Sequence, residues 1–412
     1  MDTPPIGPFA PQGAAGHLVR PLRRLRAGGA QVLALAAGAG LGVGLPGIDG
    51  GPRIVSARVV EILGVVGVAV LGVISLVYSV LFLVVQWAAA TFTPRLALFR
   101  REPLVWRVLA CAIGLLAYCI TALLAIGTRP EVSVTVPAAA LVLTTLTLLL
   151  VRRLQVSAFR SIQLAHVLAD TVEQAHRVVD SFYPDAVAER ARRVPTPLPP
   201  VRRSVTWPGA AVTLEQIDLR RLVEAARAAD STVVLRVAVG ATVYPGDPVA
   251  DVHGGGDLPS WEVTRTLIGG RERSFHQDPV YPLRVLSDIG LRALSPAVND
   301  PATAVQTLDA IGSLLLRLVT TELAAASVPD GRGSVRVVLC LPGWTEFLGT
   351  GLDEMCRAAV NSPMVLSRAR DLLRRLSADA PDERRAPVVL RLAWVEQQLA
   401  DRHPSFMHRP AG

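Results

Sequence analysis

Before Val151 the chain is written in long apolar runs, and after it in short periodic ones. Four runs approach the roughly 20 apolar residues that a bilayer crossing needs: Gly28 to Leu45, Val59 to Phe92, Leu104 to Ile126 and Val132 to Val151. The first is short and glycine-rich, but Ala34, Gly38 and Gly42 recur every fourth residue, the spacing that lets helix backbones approach closely in lipid. The second exceeds what the hydrocarbon requires. It must tilt or project beyond it, with Trp87 and Phe92 suited to the interface, until Thr93-Pro94 ends it. A secretory signal peptide fits poorly, because further spans follow the basic start with no small-residue cleavage site.

From Arg152 to Arg193 the pattern becomes amphipathic and helical. Val194 to Arg203, "VPTPLPPVRR", reads as a proline-rich extended linker. Residues 204–256 alternate like a small β-rich module. Strands are predicted near Ala210–Leu214, Val233–Val239 and Val249–Val252, with a helix over Ile217–Ala229 that Asp218 would cap. "VGATVYPGDPVADV" is similar to the turn segment of barrel-sandwich modules, minus the lysine that such a hairpin presents. Residues 257–412 are mostly helical in pattern, with a buried strand at Val335–Leu341 and helices near Thr345–Val360, Pro363–Ser377 and Ala386–Arg402. The fold class is therefore a multi-pass α-helical membrane domain of about four spans over residues 28–151, after a 1–27 N-terminal segment. The connecting helix of residues 152–193 and the linker lead from it to a cytoplasmic α+β domain with a barrel-sandwich-like module and a helical C-terminal part.

Charge sharpens this picture. All 42 basic residues are arginine, which excludes chemistry that requires a lysine, such as Schiff bases or a lipoyl arm. The net charge of +8 points to anionic partners, and arginines beside apolar runs point to lipid headgroups rather than nucleic acid. Arg20, Arg23, Arg24 and Arg26 precede the first run, Arg95, Arg100, Arg101 and Arg107 lie between the second and third, and Arg152, Arg153 and Arg160 follow the fourth. By the positive-inside rule both termini are expected in the cytoplasm, with the spans in the inner membrane. Cys111, Cys119, Cys340 and Cys356 form no C-x-x-C or His/Cys cluster, so no metal or disulfide framework is expected. His166, Asp170 and Glu173 lie on adjoining turns but read as a solvated face.

Two sets of residues are candidate sites. Ser75, Ser79 and Gln86 share one face of the second span, beside Tyr78; they would line a water-filled path or hydrogen-bond inside a bundle. Arg284, Asp288 and Arg292 recur every four residues towards the corner "LSPAVNDP", and with Asn299 and Asp300 could grip an anionic ligand. Capping and salt bridging explain the same residues, since Asp278-Pro279 and Asp300-Pro301 each place a carboxylate before a proline at a helix start. Asp288 stands in acid-first order to Arg292 for an intrahelical pair. His276 has no orienting partner in the sequence, and no nucleophile–base pair is evident, so no catalytic residue and no cofactor are expected.

The segment "GRERSFHQDPVYPLRVLSDIGLRALSPAVNDPATAVQTLD", Gly270 to Asp309, resembles the core of a family of predicted bacterial membrane proteins known as domain of unknown function 2254; "FTPRL", Phe92 to Leu96, is similar to its segment after the second span. The resemblance implies a multi-span N-terminal region and a cytoplasmic C-terminal domain, and no established activity. Function is thus expected to be non-enzymatic: an oligomeric channel or transport-like protein, or a membrane-anchored scaffold or anionic-ligand sensor. A homo-oligomer is the expected assembly.

Overall fold

The computed structural model describes residues 26–48, 52–91, 103–127, 129–161, 163–183, 198–275, 277–323 and 327–404. Arg20 to Arg24, Arg95 to Arg101, "FTPRL", the start of the proline-rich linker and His276 lie outside the described residues. The chain divides into two compact units, with the boundary between Val167 and Leu168.

The first unit contains four helices long and apolar enough to cross a membrane: α1 (Arg26–Gly44), α2 (Ser56–Thr91), α3 (Pro103–Ile126) and α4 (Thr135–Ser161). The third is the central one, packed against the other three. Leu63, Leu115, Tyr118, Ala122 and Val136 form its apolar interior. Polar groups inside are satisfied locally: the Tyr118 hydroxyl donates to the Val136 carbonyl at 2.7 Å, and Thr147 donates to the Leu143 carbonyl at 2.8 Å. The small residues of α1 are used as their spacing predicts. A β-carbon on Gly38 would overlap the Gly114 carbonyl, and one on Gly42 would lie 2.6 Å from the Tyr118 carbonyl oxygen. The linkers at one end, β1 (Arg53–Val55) and β2 (Glu131–Ser133), pair antiparallel, which their polar flanks did not signal.

Two belts bound this unit. Arg53, Arg58, Glu61, Arg129 and Glu131 are exposed at the ribbon end. Trp106, Arg107, Arg152 and Arg153 are exposed at the other, where the Tyr78 hydroxyl reaches the Val105 carbonyl at 2.9 Å. From Glu61 to Tyr78 the helical rise is about 25 Å, close to the roughly 30 Å of a hydrocarbon core.

The second unit begins within α5 (Leu164–Phe182) and holds two sheets and a helical layer. One sheet has the order β3 (Val201–Thr206), β7 (Pro248–Gly254), β5 (Ser231–Leu235), β10 (Val335–Val338), β9 (Ser327–Pro329). Its β5–β10 pairing is parallel. The other is antiparallel, β6 (Thr242–Val243), β4 (Val212–Ile217), β8 (Leu267–Gly270). Period-two burial of Val233 and Leu235 against Ala250 and Val252 builds one apolar face. Helix α6 (Leu219–Ala228) lies against β5 and β10 and buries Leu222 and Ala226, and Asp218 caps it as predicted, accepting from the Arg221 amide at 3.2 Å.

The barrel-sandwich expectation is corrected here. Residues 204–256 do not close on themselves, because β10 fills the second edge of β5 and β8 fills an edge of β4. The "YPGDP" turn forms, with Gly246 at φ 89°, but β6 and β7 join different sheets. Backbone bonds from Trp207 to Asp247 and from Gly246 to Trp207 hold that turn to β3 instead. Val201 to Arg203, placed in the linker, are strand residues of β3.

Helices α7 (Ser260–Thr264), α8 (Tyr281–Ala293), α9 (Pro301–Leu318), α10 (Trp344–Ala358), α11 (Pro363–Asp379) and α12 (Asp382–Arg402) complete the unit. Arg384 at the start of α12 donates through Nη1 to the carbonyls of Leu318, Val319 and Thr321 at 2.9, 2.9 and 2.6 Å, closing the C-terminus of α9. A guanidinium there satisfies orphan carbonyls and suits the negative end of the helix dipole. Arg384→Ala is expected to destabilise this unit by about 1–3 kcal/mol, read as a lowered denaturation midpoint of the full chain.

Asp330, in the β9–β10 turn, is buried and accepts from Arg336 Nε at 2.9 Å and from the Arg332 and Ser334 amides at 2.8 and 3.1 Å. The Arg336 bond, then the amides, hold its carboxyl below the ordinary value of 3.8 against the opposing effect of burial. A depressed folded value contributes stability above the unfolded value, lost as pH falls through the folded one. Acid titration of stability should therefore flatten below pH 3.8 in Asp330→Asn relative to the native chain.

Candidate functional site

The resembling segment is built from buried polar side chains, and these make the best-defined polar centre of the second unit. Gln277 fastens it to β4: its Oε1 accepts from the Ile217 amide at 2.7 Å and its Nε2 donates to the Ile217 carbonyl at 3.2 Å. Asp278, next in sequence, has no solvent exposure. Arg273 grips it with two bonds, Nε to Oδ2 at 2.6 Å and Nη2 to Oδ1 at 2.9 Å. Asp278 Oδ1 also accepts from the Val280 and Tyr281 amides at 3.1 and 3.0 Å. The guanidinium sits 5.6 Å from the Tyr281 ring centroid, and Phe275 meets that ring edge-on. Gly240, at φ 93°, closes the other side, where a β-carbon would come within 2.8 Å of Arg273 Nε.

This corrects the expected cap. Helix α8 starts at Tyr281 with Pro282 in its first turn, not at Pro279, and Val280 is the capping residue. The residue before a proline is held extended, so Asp278-Pro279 lies in the approach to the helix. Its carboxylate still satisfies first-turn amides, but its strongest partner is Arg273, which sequence reasoning missed.

Glu346, exposed near the start of α10, faces this centre. Partial desolvation by the surrounding chain pushes its carboxyl up, the Arg273 guanidinium pulls it down, and the Asp278 charge pushes it up again. Tyr183 donates to the Pro342 carbonyl at 2.8 Å, and burial, then Glu346, raise its phenol. Burial and Glu346 likewise raise the Cys340 thiol. A raised thiol stays protonated near neutrality and is a poor nucleophile. The group braces the junction of sheet and helices through the Tyr183 bond to the Pro342 carbonyl and the Gln277 bonds to Ile217. Its only advance signal was the density of polar residues in "RERSFHQD", which sequence alone reads as a loop.

The predicted anion cluster is not gathered into one site. Arg284 Nε pairs with Asp288 at 3.0 Å and Arg284 Nη1 reaches Glu354 on α10 at 3.1 Å. The pair on α8 is therefore Arg284–Asp288, where the acid-first order had suggested Asp288–Arg292. Arg284 is drawn to this side because Ser287 donates to the Thr350 and Gly351 carbonyls, seating α8 on α10. Arg292 Nε is buried without a hydrogen-bond partner. More than two turns from Arg284, Asn299 adopts φ 46° in an exposed turn. Asp300 caps α9 as predicted, accepting from the Thr303 amide at 3.0 Å and its hydroxyl at 2.6 Å; those bonds hold its carboxyl below the usual range.

Ser75, Ser79 and Gln86 are all exposed on the outside of the first unit rather than inside the bundle. Ser79 donates to the Ser75 carbonyl at 2.8 Å on its own helix. Val77 and Leu81 pack with Val151 and Leu154, so Ser79 is level with Arg152 and Arg153. Gln86 is about 10 Å further along the axis, beyond that belt. His166, Asp170 and Glu173 are each exposed on α5.

With this geometry in place, similarity to other proteins decides kinship. A family model described as "Predicted membrane protein (DUF2254)" matches residues 30–375. The chain belongs to the DUF2254 family. That match runs from α1 into α11 and so takes in both units. Among curated relatives, the uncharacterized protein Rv1290c of Mycobacterium tuberculosis is 28% identical over 365 residues, covering 82% of this chain and 68% of that protein. The uncharacterized protein Mb1321c of Mycobacterium bovis gives the same figures. No solved structure matches the chain. As a DUF2254 member it is a predicted membrane protein whose relatives carry no assigned activity.

Proposed function

We propose that this chain is a non-enzymatic, membrane-anchored scaffold, in which the four-helix unit holds the residue 168–412 unit at the inner membrane. Both termini lie in the cytoplasm in this reading, because exposed Arg107, Arg152 and Arg153 share one belt and would meet anionic headgroups there. The observation that carries the scaffold role is the apolar interior of the first unit, closed by Leu63, Leu115, Tyr118 and Ala122. A conduit through one copy needs a polar lining at mid-depth, whereas the polar stripe of α2 lies outside and at one end.

Exposure of Ser75 and Ser79 favours a second reading, a path formed between copies. Proteoliposomes separate the two. The scaffold reading expects solute and ion flux equal to that of protein-free vesicles. Flux that depends on Ser75 and Ser79 would overturn it in favour of a channel.

A further inference from the structure

Helix α5 carries the chain from the first unit into the second, and one arginine reaches across to it. His176 and Asp180 stand one turn apart on the same face of α5. Arg317, in the last turn of α9, meets both: its Nη1 lies 3.4 Å from His176 Nδ1, and its Nη2 donates to the Asp180 carboxylate. A guanidinium has only donors to offer. The contact therefore requires a bare Nδ1, which belongs to the neutral imidazole with its proton on Nε2. Partial burial, then the Arg317 charge, hold the imidazole below its ordinary value of 6.5, while Asp180 acts the other way. Among the described residues these are the charges that bear on it. Glu173 and Arg177 of α5 are exposed, Ser313, Thr320 and Thr321 beside Arg317 carry no charge, and α10 brings Glu346 to the Tyr183 phenol at the far end of α5.

We propose that His176 makes the seating of α5 on α9 respond to pH: proton uptake by its imidazole ends the bond with Arg317 and joins the ring to Asp180 instead. A tie between helices is exchanged for one within α5. The proton comes from solvent and goes to Nδ1, after which the imidazolium and the guanidinium repel each other and compete for one carboxylate. The imidazolium, four residues from Asp180 on the same helix, needs no second element to hold it there. Arg317 and Asp180 are 45% and 51% exposed, so water takes the place of either partner at little cost. That exposure also sets the scale, a several-fold change in the opening of α5 rather than its release. Because the folded value lies below the unfolded one, the tie is complete above pH 6.5 and is lost as pH falls through the folded value. The Tyr183 bond to the Pro342 carbonyl holds the far end of α5 throughout, since burial and Glu346 keep that phenol protonated.

The test is hydrogen exchange of the full chain in nanodiscs at about pH 7.5 and about pH 5, either side of the imidazole range, corrected for the intrinsic rate. Measured against α11, which holds no histidine, the α5 amides are expected to exchange several-fold faster at the lower pH. In His176→Gln, whose side-chain oxygen accepts from Arg317 without titrating, the ratio between the two pH values should be about one. Arg317→Met removes the tie itself, so its α5 amides should exchange faster than native ones already at the higher pH. Equal α5 exchange at both pH values in the native chain, or a His176→Gln chain that keeps the native pH dependence, overturns the proposal. So does an Arg317→Met chain with native α5 exchange at the higher pH. Solute flux, which decides the scaffold reading, has no bearing on these rates, so the two readings stand or fall separately.

Discussion

Arg273→Met should cost the second unit about 3–5 kcal/mol, the usual penalty for leaving a buried charge without its partner. Asp278 is the charge in question. It is wholly buried, and two of its bonds come from one guanidinium. Neutral methionine fills much of the same volume but supplies neither donor nor charge. The loss is read from denaturant titration of the full chain, followed by the fluorescence of Trp344, which is buried in this unit. The paired substitution Arg273→Met with Asp278→Asn should recover most of it, since an asparagine oxygen still accepts from the Val280 and Tyr281 amides. Strong coupling in that double-mutant cycle is the expected result. Equal, additive losses would mean that Arg273 contributes through its stem and not through its charge.

The same centre shows what a sequence can and cannot disclose. The long apolar helices and two of the three caps were legible because each depends on near neighbours: Asp218 and Asp300 cap the helices that follow them. The four apolar runs were legible by length alone, and helices α10 to α12 by period. Non-local pairing was not. Nothing near Val233 announces that its neighbour is Val337, a hundred residues later, so the 204–256 module was drawn too small. Competition was equally hidden. Arg284 could have paired along its helix alone, but Glu354 on α10 shares it, and Asp278 had a cap's position while serving as Arg273's counter-ion. The polar stripe of Ser75, Ser79 and Gln86 falls on the exposed side of α2. Its depth depended on which residues of α3 and α4 stand level with it, a tertiary fact.

In the four-helix unit the largest expected effect follows from close backbone contact. Gly38→Leu should separate α1 from α3, because no rotamer can move a β-carbon away from the Gly114 carbonyl it would overlap. Overpacking a well-filled contact costs about 1–3 kcal/mol when neighbours can shift, and here the obstacle is backbone rather than a flexible side chain. Gly42 repeats the geometry one turn on, against the Tyr118 carbonyl and the Thr121 hydroxyl, so a double substitution should leave α1 without its seat. Gly40, between them, has open space where its β-carbon would stand, so Gly40→Leu is the matched control. Thermal unfolding of the detergent-solubilised full chain reports the contact: Gly38→Leu should lower the melting temperature and Gly40→Leu leave it unchanged. Equal melting in both would show that α1 holds to α3 by something other than its small residues, and that the four-residue spacing read from the sequence is not what seats α1.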